Sequence, residues 1–290
     1  MSLQGKAIKQ KIKSVGSIKK IAKTMEMVSV SKMKRAIEET LTSRPYFTLA
    51  FELLENLLQD TELSHPYLKE GEDAREVVLI IAGNKGLCGG YHANLFKLLS
   101  GHLSGMDRAN LEAVTVGKYA EKMARNLGIK IKASFIHFNE KTVPDETRPL
   151  AKILMEEFDA GAKKVWSAYT KFSKATSYAP QVEKLLPVER VEPADAEMQK
   201  RDFSKYLLEP SSGRLLQVVL PHVVEVSVYQ MIMESLASEH SARMFAMKNA
   251  GDNAGDLLED LTLSYNQARQ SAITQELAEI VGGAEALSMD

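Results

Sequence analysis

The two ends of this 290-residue chain contain no proline, and this restricts the fold more than any other feature of the sequence. All nine prolines lie between Pro45 and Pro221. Because proline costs about 3 kcal/mol inside a helix, the proline-free ends permit long uninterrupted helices. A helix from Pro221 to about residue 285 would be roughly 100 Å long, at about 1.5 Å per residue. No compact core buries such a helix, so it needs a partner outside a globular domain.

Both ends carry residues at intervals of three or four that define one helical face. The N-terminal stripe consists of Ile8, Ile12, Val15, Ile18, Ala22, Met25, Ser29, Met33 and Ala36. The C-terminal stripe consists of Tyr229, Met233, Leu236, His240, Arg243, Met247, Ala250, Ala254, Leu257, Leu261, Tyr265, Ala268 and Ala272. Both stripes are rich in Ala, Ser and Met, and two charged or polar residues interrupt the second one. We therefore expect a closely approaching but marginally stable helix pair, which needs a surrounding sleeve.

The two ends have opposite charges, although the net charge of the chain is only −1. Residues 1–35 contain ten Lys and Arg against one Glu, a net charge of +9. Residues 222–290 contain three Lys and Arg against eleven Asp and Glu, a net charge of −8. We predict that the two ends pair as an antiparallel two-helix coiled coil. The N-terminal helix should break or kink near Pro45, and part of the longer C-terminal helix should extend beyond its partner.

The middle of the chain alternates between strand and helix patterns. Strands are predicted at residues 77–82, 113–116 and 129–135, helices at 91–103, 118–127 and 148–160, and further extended segments at 164–171 and 176–188. This alternation indicates a parallel sheet of Rossmann-like type. The predicted fold class is thus α/β plus coiled coil, with a Rossmann-like α/β domain inserted between the N- and C-terminal helices. The predicted segments are 1–60 for the N-terminal helix, 75–205 for the α/β domain and 211–287 for the C-terminal helix.

A glycine cluster after the first predicted strand, GNKGLCGGYHANL, raises the alternative of a nucleotide-binding enzyme. The glycines are Gly83, Gly86, Gly89 and Gly90. Their spacing fits neither the dinucleotide fingerprint nor the P-loop, and Lys85 precedes the main cluster instead of closing it. We expect a structural strand-to-helix turn packed against another surface, with Cys88 as a small buried residue.

The sequence gives little support for a metal site, a pair of catalytic carboxylates or a nucleic-acid interface. The six histidines are dispersed without metal-ligand spacing, and the pair Glu156–Glu157 reads as a solvated helix face. The basic N-terminus could indicate nucleic-acid binding, but residues 1–44 contain no aromatic residue for base stacking. We expect no catalytic residue, cofactor or metal in this chain.

The single cysteine, Cys88, excludes an intramolecular disulfide and favours a reducing compartment. No apolar stretch approaches the roughly 20 residues of a membrane span, and the basic start lacks the apolar core of a signal peptide. We expect a soluble, intracellular protein.

Three stretches resemble the gamma subunit of F-type ATP synthases: IKSVGSIKKIAKTMEMVSVSKMKRA, GNKGLCGGYHANL, and the run from Ser235 that begins SLASEHSARMFAMKNAGDNAG. The resemblance covers the whole chain in order. It implies a non-catalytic rotor shaft that transmits torque between the membrane c-ring and the alpha/beta catalytic hexamer, coupling proton flow to ATP synthesis or hydrolysis. The partners would be three alpha and three beta subunits, the epsilon subunit and the c-ring, without nucleic acid or a membrane span. The location would be peripheral, on the cytoplasmic face of the bacterial inner membrane.

The resemblance also implies contact residues. Those facing a beta subunit would be Met25, Arg243, Arg269, Gln270, Thr274 and Glu276. The simpler alternatives are seam packing for Met25 and an ion pair with Glu239 for Arg243. In KYLLEPS, the contact with epsilon and the c-ring would involve Tyr206, Leu208 and Glu209. Leu208 stands where some members have tyrosine, which makes that contact less polar, and the two-cysteine regulatory insert of chloroplast members is absent.

Two other hypotheses compete with the rotor. A nucleotide-binding α/β enzyme with helical arms would bind ATP or NAD in isolation. A static coiled-coil scaffold would support assembly without coupling, so that removing the end of its C-terminal helix would leave turnover unchanged.

Overall fold

The computed structural model describes residues 3–58, 63–188, 209 and 211–287. The chain divides into two compact units, one formed by residues 1–28 with 243–290 and the other by residues 29–242. Each unit contains part of both terminal helices, so this division cuts across the three segments predicted from the sequence.

Two long helices account for the ends of the chain, α1 at Leu3–Leu57 and α5 at Ser212–Leu287. Of the predicted break or kink near Pro45, the break is wrong, because α1 continues through that residue as one helix. The kink stays a prediction. Proline removes the hydrogen bond to the carbonyl four residues earlier, which belongs to Leu41, and its ring crowds that carbonyl. Leu41 is 52% exposed, so water can reach this part of the helix. α5 contains Pro221 in the same way.

In the first unit, α1 and α5 run antiparallel. A Cβ built on Gly251 would lie 3.9 Å from the Cβ of Ala22, and one built on Gly255 would lie 2.9 Å from Nζ of Lys19. From the first contact to the second, the residue number rises in α5 and falls in α1, so the two helices are antiparallel. This confirms the predicted coiled coil. Two apolar members of the predicted stripes, Ile18 and Leu257, are exposed instead of buried, at 53% and 47%.

The second unit is built on a five-stranded sheet with the order β3-β2-β1-β4-β5. Its strands are β1 (Glu76–Ile81), β2 (Leu111–Val116), β3 (Lys130–Phe135), β4 (Lys164–Lys174) and β5 (Ser177–Leu186). The first four are parallel, and β5 returns antiparallel to β4. The helices between strands are α2 (Tyr91–His102), α3 (Lys118–Asn126) and α4 (Pro144–Asp159). The parallel core of the sheet agrees with the predicted Rossmann-like domain.

The sheet separates two apolar cores. Val78 and Ile80 face α2 and α3 on one side. Val77, Leu79 and Ile81 face the other side, where they pack with residues of α4, the end of α1 and the first half of α5. Because successive side chains of a strand alternate between faces, the fully apolar run EVVLII suits a strand covered on both sides.

α5 includes an 18-residue window with a mean hydropathy of 1.4, which is long and apolar enough to cross a membrane by length and composition alone. Within the protein, 56% of that window is buried, a pattern shared by helices that pack in a protein core. The expectation that no apolar stretch approaches the length of a membrane span is wrong for this window, which tolerates up to two charged residues.

Candidate functional site

The glycine loop lies at the carboxyl end of the parallel sheet, between β1 and α2. This edge is where open α/β sheets usually bind their ligands. α2 begins after Gly90, whose position at the N-cap provides no side-chain hydrogen bond to the helix. The location alone would therefore suit a phosphate, and the surroundings of the loop decide whether one could enter.

Gly83, the first glycine of the loop, lies directly against α5. A Cβ built on Gly83 would be 2.5 Å from Cδ of Glu239 and 2.6 Å from its Oε2. The Glu239 side chain is buried, so a carboxylate already occupies the space over the loop. A carboxylate at this position repels an anion, which opposes phosphate binding here.

The remaining space at this edge is small. It is lined by strand-end residues such as Gly83 and Gly117 and by Ile232, Ser235 and Glu239 of α5. The part that a water molecule can enter has a volume of about 20 Å³. Ligand pockets usually measure about 300–1,000 Å³, so this cavity admits a water and not a nucleotide.

The neighbouring helix N-terminus is also occupied. Asn84 accepts a hydrogen bond from the amide of Lys118 at 3.1 Å and donates to the carbonyl of Ile136 at 2.8 Å. Gly117 has a φ of 91°, and a Cβ there would lie 2.1 Å from the carbonyl oxygen of Ala82. The start of α3 is thus capped by the loop itself.

The rest of the loop forms a compact turn. A Cβ on Gly86 would come within 2.8 Å of the Tyr119 hydroxyl, and Gly89 has a φ of 56°. Leu87 also adopts a positive φ of 61° and is exposed. Cys88 is buried in a small cluster with Tyr91 and Ala242, so it is poorly placed as a nucleophile.

Tyr91, at the start of α2, ties this turn to α5. Its hydroxyl donates to the carbonyl of Ser235 at 3.0 Å. Burial raises the pKa of the Tyr91 phenol, so the hydroxyl remains protonated and available as a donor.

α5 carries a stretch of buried polar residues, of which the sequence placed only His240 and Arg243 on the buried helical face. It consists of Glu234, Ser235, Ser238, Glu239, His240, Ser241 and Arg243. The signal was present in the sequence ESLASEHSAR, where acids, serines and basic residues interrupt an apolar helix that otherwise suits a core. Buried polar residues require partners, and Glu234, Ser235 and Ser238 find theirs on β4 and α1.

The residues expected to face a beta subunit lie along α1 and α5. Arg269, Gln270, Thr274 and Glu276 are all exposed. Gln270 and Thr274 are four residues apart and share one face of the helix, which is lined further by Gln267, Ser271 and Ala278.

Met25 is partly buried, and Arg243 is only 7% exposed. The pairing of Ala22 with Gly251 places Met25 level with about Lys248, so Arg243 lies more than a turn away along α5. Of the residues expected at the epsilon and c-ring contact, Glu209 is exposed, and Tyr206 and Leu208 lie outside the described residues.

Within the described part of the chain, no group of three or more His, Cys, Asp or Glu side chains is arranged to hold a metal ion. Taken together, the described features define a class: a coiled-coil protein with an inserted α/β domain, whose usual ligand crevice is filled by one of its own helices.

Comparison with known proteins places this chain within that class. The family model described as ATP synthase matches residues 4–287. An ATP synthase gamma chain of Dehalococcoides mccartyi is 40% identical over 286 residues, covering 97% of this chain and 98% of the relative. The gamma chain of strain CBDB1 of the same species is 40% identical over 285 residues, with the same coverage. The chain belongs to the ATP synthase gamma-chain family.

Solved structures share the fold at low sequence identity. A chain of the Euglena gracilis mitochondrial ATP synthase, from a structure of its OSCP, F1 and c-ring, matches with a TM-score of 0.65 and 17% identity. That match covers 98% of this chain and 94% of the other. A chain of the Tetrahymena thermophila mitochondrial ATP synthase, from a structure of its central stalk and c-ring, matches with a TM-score of 0.58 and 21% identity, covering 79% and 99%.

Proposed function

We propose that this chain works as the rotating shaft of its complex, transmitting torque between a membrane c-ring and an alpha/beta catalytic hexamer. Membership of the gamma-chain family makes it the central-stalk subunit of an F-type ATP synthase. Its rotation would couple ion flow to ATP synthesis or hydrolysis. The chain itself would bind no nucleotide and catalyse no step.

Besides family membership, one observation carries this proposal: apolar side chains are exposed on the distal part of α5. Ile273, Leu277, Ile280 and Val281 are between 49% and 68% exposed. Their spacing of four, three and one residues places them along one side of the helix. A contiguous apolar surface of this kind marks an interaction site, so this part of α5 requires a surrounding protein.

The composition of the helices suits a shaft that turns inside a sleeve. The buried positions of the first unit include Ala22 and Ala254, and Gly251 lies opposite the former. With small side chains, the helix pair has few protruding groups that could interlock with a surrounding protein. Exposed ion pairs contribute only about 0–1 kcal/mol each, so charged contacts to the sleeve can form and break at each step.

The proposed partners are three alpha and three beta subunits around the terminal helices, with the epsilon subunit and the c-ring at the α/β domain. Met25, Arg243, Arg269, Gln270, Thr274 and Glu276 are proposed to face beta subunits. Tyr206, Leu208 and Glu209 are proposed to contact epsilon or the c-ring. The proposed location is peripheral, on the cytoplasmic face of a bacterial inner membrane.

Single-molecule rotation tests the proposal directly. Cys88 is buried, so we would replace it by alanine and attach a bead through Glu72→Cys, an exposed position of the α/β domain. The variant chain is assembled with alpha and beta subunits from a matching source, and ATP is supplied. We expect stepwise rotation in one direction.

Two results would contradict the rotor. A stable complex that hydrolyses ATP while the bead stays fixed would favour a static scaffold. Failure to assemble, together with binding of ATP or NAD by the isolated chain, would favour a nucleotide-binding enzyme.

A further inference from the structure

β4 extends beyond the strand that pairs with it in parallel. The ladder between β1 and β4 ends with Ile80 opposite Ala168, although β4 continues to Lys174. On its other edge β4 remains paired with β5 as far as Lys174. Beyond Ala168, the edge of β4 that faced β1 has no neighbouring strand. The backbone N–H and C=O groups of Thr170 and Phe172 on this edge therefore need other hydrogen-bond partners.

Side chains of α5 and α1 supply those partners. The Thr170 amide donates to Oγ of Ser235 at 3.3 Å, and the Thr170 carbonyl accepts from Oγ of Ser238 at 3.2 Å. The Phe172 amide donates to Oε2 of Glu234 at 3.3 Å, and the Phe172 carbonyl accepts from Arg44 at 3.4 Å. Four side chains from two helices thus satisfy four backbone groups of one strand.

Glu234 connects all three elements of this arrangement. Its Oε1 accepts a hydrogen bond from Nε2 of Gln230 at 3.0 Å and lies 3.7 Å from a guanidinium nitrogen of Arg44. Gln230 in turn accepts a hydrogen bond from Ser43 of α1 at 2.8 Å. Glu234 is only 5% exposed, and a buried carboxylate with several donors holds its surroundings in one arrangement.

We propose that this polar joint, formed by Arg44, Glu234, Ser235 and Ser238 on the backbone of Thr170 and Phe172, is the attachment through which torque passes between the α/β domain and α5. The inference deepens the rotor function proposed above and rests on it. It assigns the four side chains a positioning role, since none of them would touch a reacting group.

The physical argument compares two kinds of contact between a helix and a sheet. Apolar packing is non-directional, so a small turn of the helix about its own axis changes the buried area little. Hydrogen bonds weaken steeply when their angle falls below about 120°. The same small turn would misalign the hydrogen bonds of the joint and leave buried donors and acceptors poorly paired. The joint therefore resists the motion that torque on the shaft would produce.

Hydrogen exchange in the full chain tests the geometry. In the double variant Ser235→Ala/Ser238→Ala, we expect the Thr170 amide to exchange about tenfold faster, because its acceptor is lost. Ser227→Ala is the matched control: Ser227 is a buried serine of the same helix, and its hydroxyl donates to the carbonyl of Val223 within α5. An unchanged exchange rate of the Thr170 amide in the double variant would refute the hydrogen bonding proposed for the joint.

Proton pumping by the reconstituted complex tests the role in torque. We expect the double variant to retain ATP hydrolysis while pumping several-fold fewer protons per ATP, and Ser227→Ala to pump normally. Glu234→Gln, which keeps the side-chain shape, should show the same defect more weakly. Normal pumping by the double variant and by Glu234→Gln would overturn the proposal. An equal loss of hydrolysis and pumping in these two variants would also overturn it, because misfolding alone gives that result. A wild-type complex that fails to rotate would instead refute the proposed function.

Discussion

The carboxylate of Glu239 lies over Gly83, so close that a Cβ on this glycine would come within 2.5 Å of the carboxylate carbon. The glycine is therefore matched to a side chain of α5 and not to a bound ligand. The same contact explains the glycine spacing: the loop accommodates a side chain of α5, so its glycines need not follow the spacing of a phosphate-binding loop.

Replacing Gly83 by alanine should destabilise the α/β unit. The added Cβ forces the buried Glu239 side chain to move, a strain that we expect to cost about 1–3 kcal/mol. Trp166, the single tryptophan of the chain, lies in β4, so its fluorescence during denaturant unfolding reports on this unit.

Gly101→Ala provides the control, because no atom lies within 4 Å of a Cβ at that position. The double variant Gly83→Ala/Glu239→Ala should recover part of the lost stability. Equal stability of Gly83→Ala and the wild type would show that the contact is not tight.

Replacing Gly16 or Gly251 by alanine should stabilise the coiled coil. A Cβ at Gly16 meets nothing within 4 Å, and one at Gly251 makes an ordinary contact of 3.9 Å with Ala22. Glycine inside a helix is less favourable than alanine by about 0.5–1 kcal/mol, so each change should add about that amount. Thermal unfolding followed by far-UV circular dichroism measures the effect.

Gly117→Ala is the contrasting variant. Gly117 has a positive φ, and its Cβ would lie 2.1 Å from a backbone oxygen, so this change should be strongly destabilising. A lower melting temperature for Gly16→Ala would contradict our description of that position as open.

The contribution of Glu112 to stability should depend on pH. A hydrogen bond from Lys130 holds the pKa of this carboxyl below its ordinary value of 4.5, and a hydrogen bond from Arg75 acts in the same direction against the effect of burial. Because the folded-state pKa is lowered, the contribution is present above pH 4.5 and is lost as the pH falls through the lower folded value.

We therefore expect Glu112→Gln to lower the free energy of unfolding by about 1 kcal/mol at neutral pH and to approach the wild type in acid. Denaturant titrations at a series of pH values measure the difference. Glu156→Gln, whose side chain is 60% exposed, should change stability by less than about 0.5 kcal/mol at any pH. A difference for Glu112→Gln that persists in strong acid would exclude the ionic explanation.

Met25→Lys should impair coupling in the assembled complex. The substitution places a long cation at a partly buried position that is proposed to face a beta subunit. We expect proton pumping per ATP to fall several-fold in membrane vesicles, while Met25→Leu, which keeps an apolar side chain of similar volume, remains coupled. Full coupling in Met25→Lys would remove Met25 from the proposed contact.

The sequence predicted the helices and the parallel strands well, because their signals are local. Proline-free stripes and the run EVVLII each identify an element from neighbouring residues alone. Pro45 misled the prediction for the opposite reason. Its local cost is real, but packing of the following residues, such as Leu54 and Leu57, continues the helix beyond it.

The parts that the sequence did not reveal depend on residues far apart in the chain. The glycine loop could be judged unsuitable for a phosphate by its spacing, but its contact with Glu239 joins residues 156 positions apart. The partners of Thr170 and Phe172 in α5 are more than 60 positions later in the chain, and Arg44 of α1 is 128 positions earlier than Phe172. No local pattern encodes such pairs.

The division of the chain into units has a consequence for its synthesis. Residues 29–242 are contiguous, so this unit can fold while the ribosome is still adding the rest of the chain. Residues 1–28 are made before this unit, but their partner segment, 243–290, is made after it. The coiled coil can therefore form only after the α/β unit has been synthesised. A chain truncated after residue 242 would therefore present a folded α/β unit without the coiled coil.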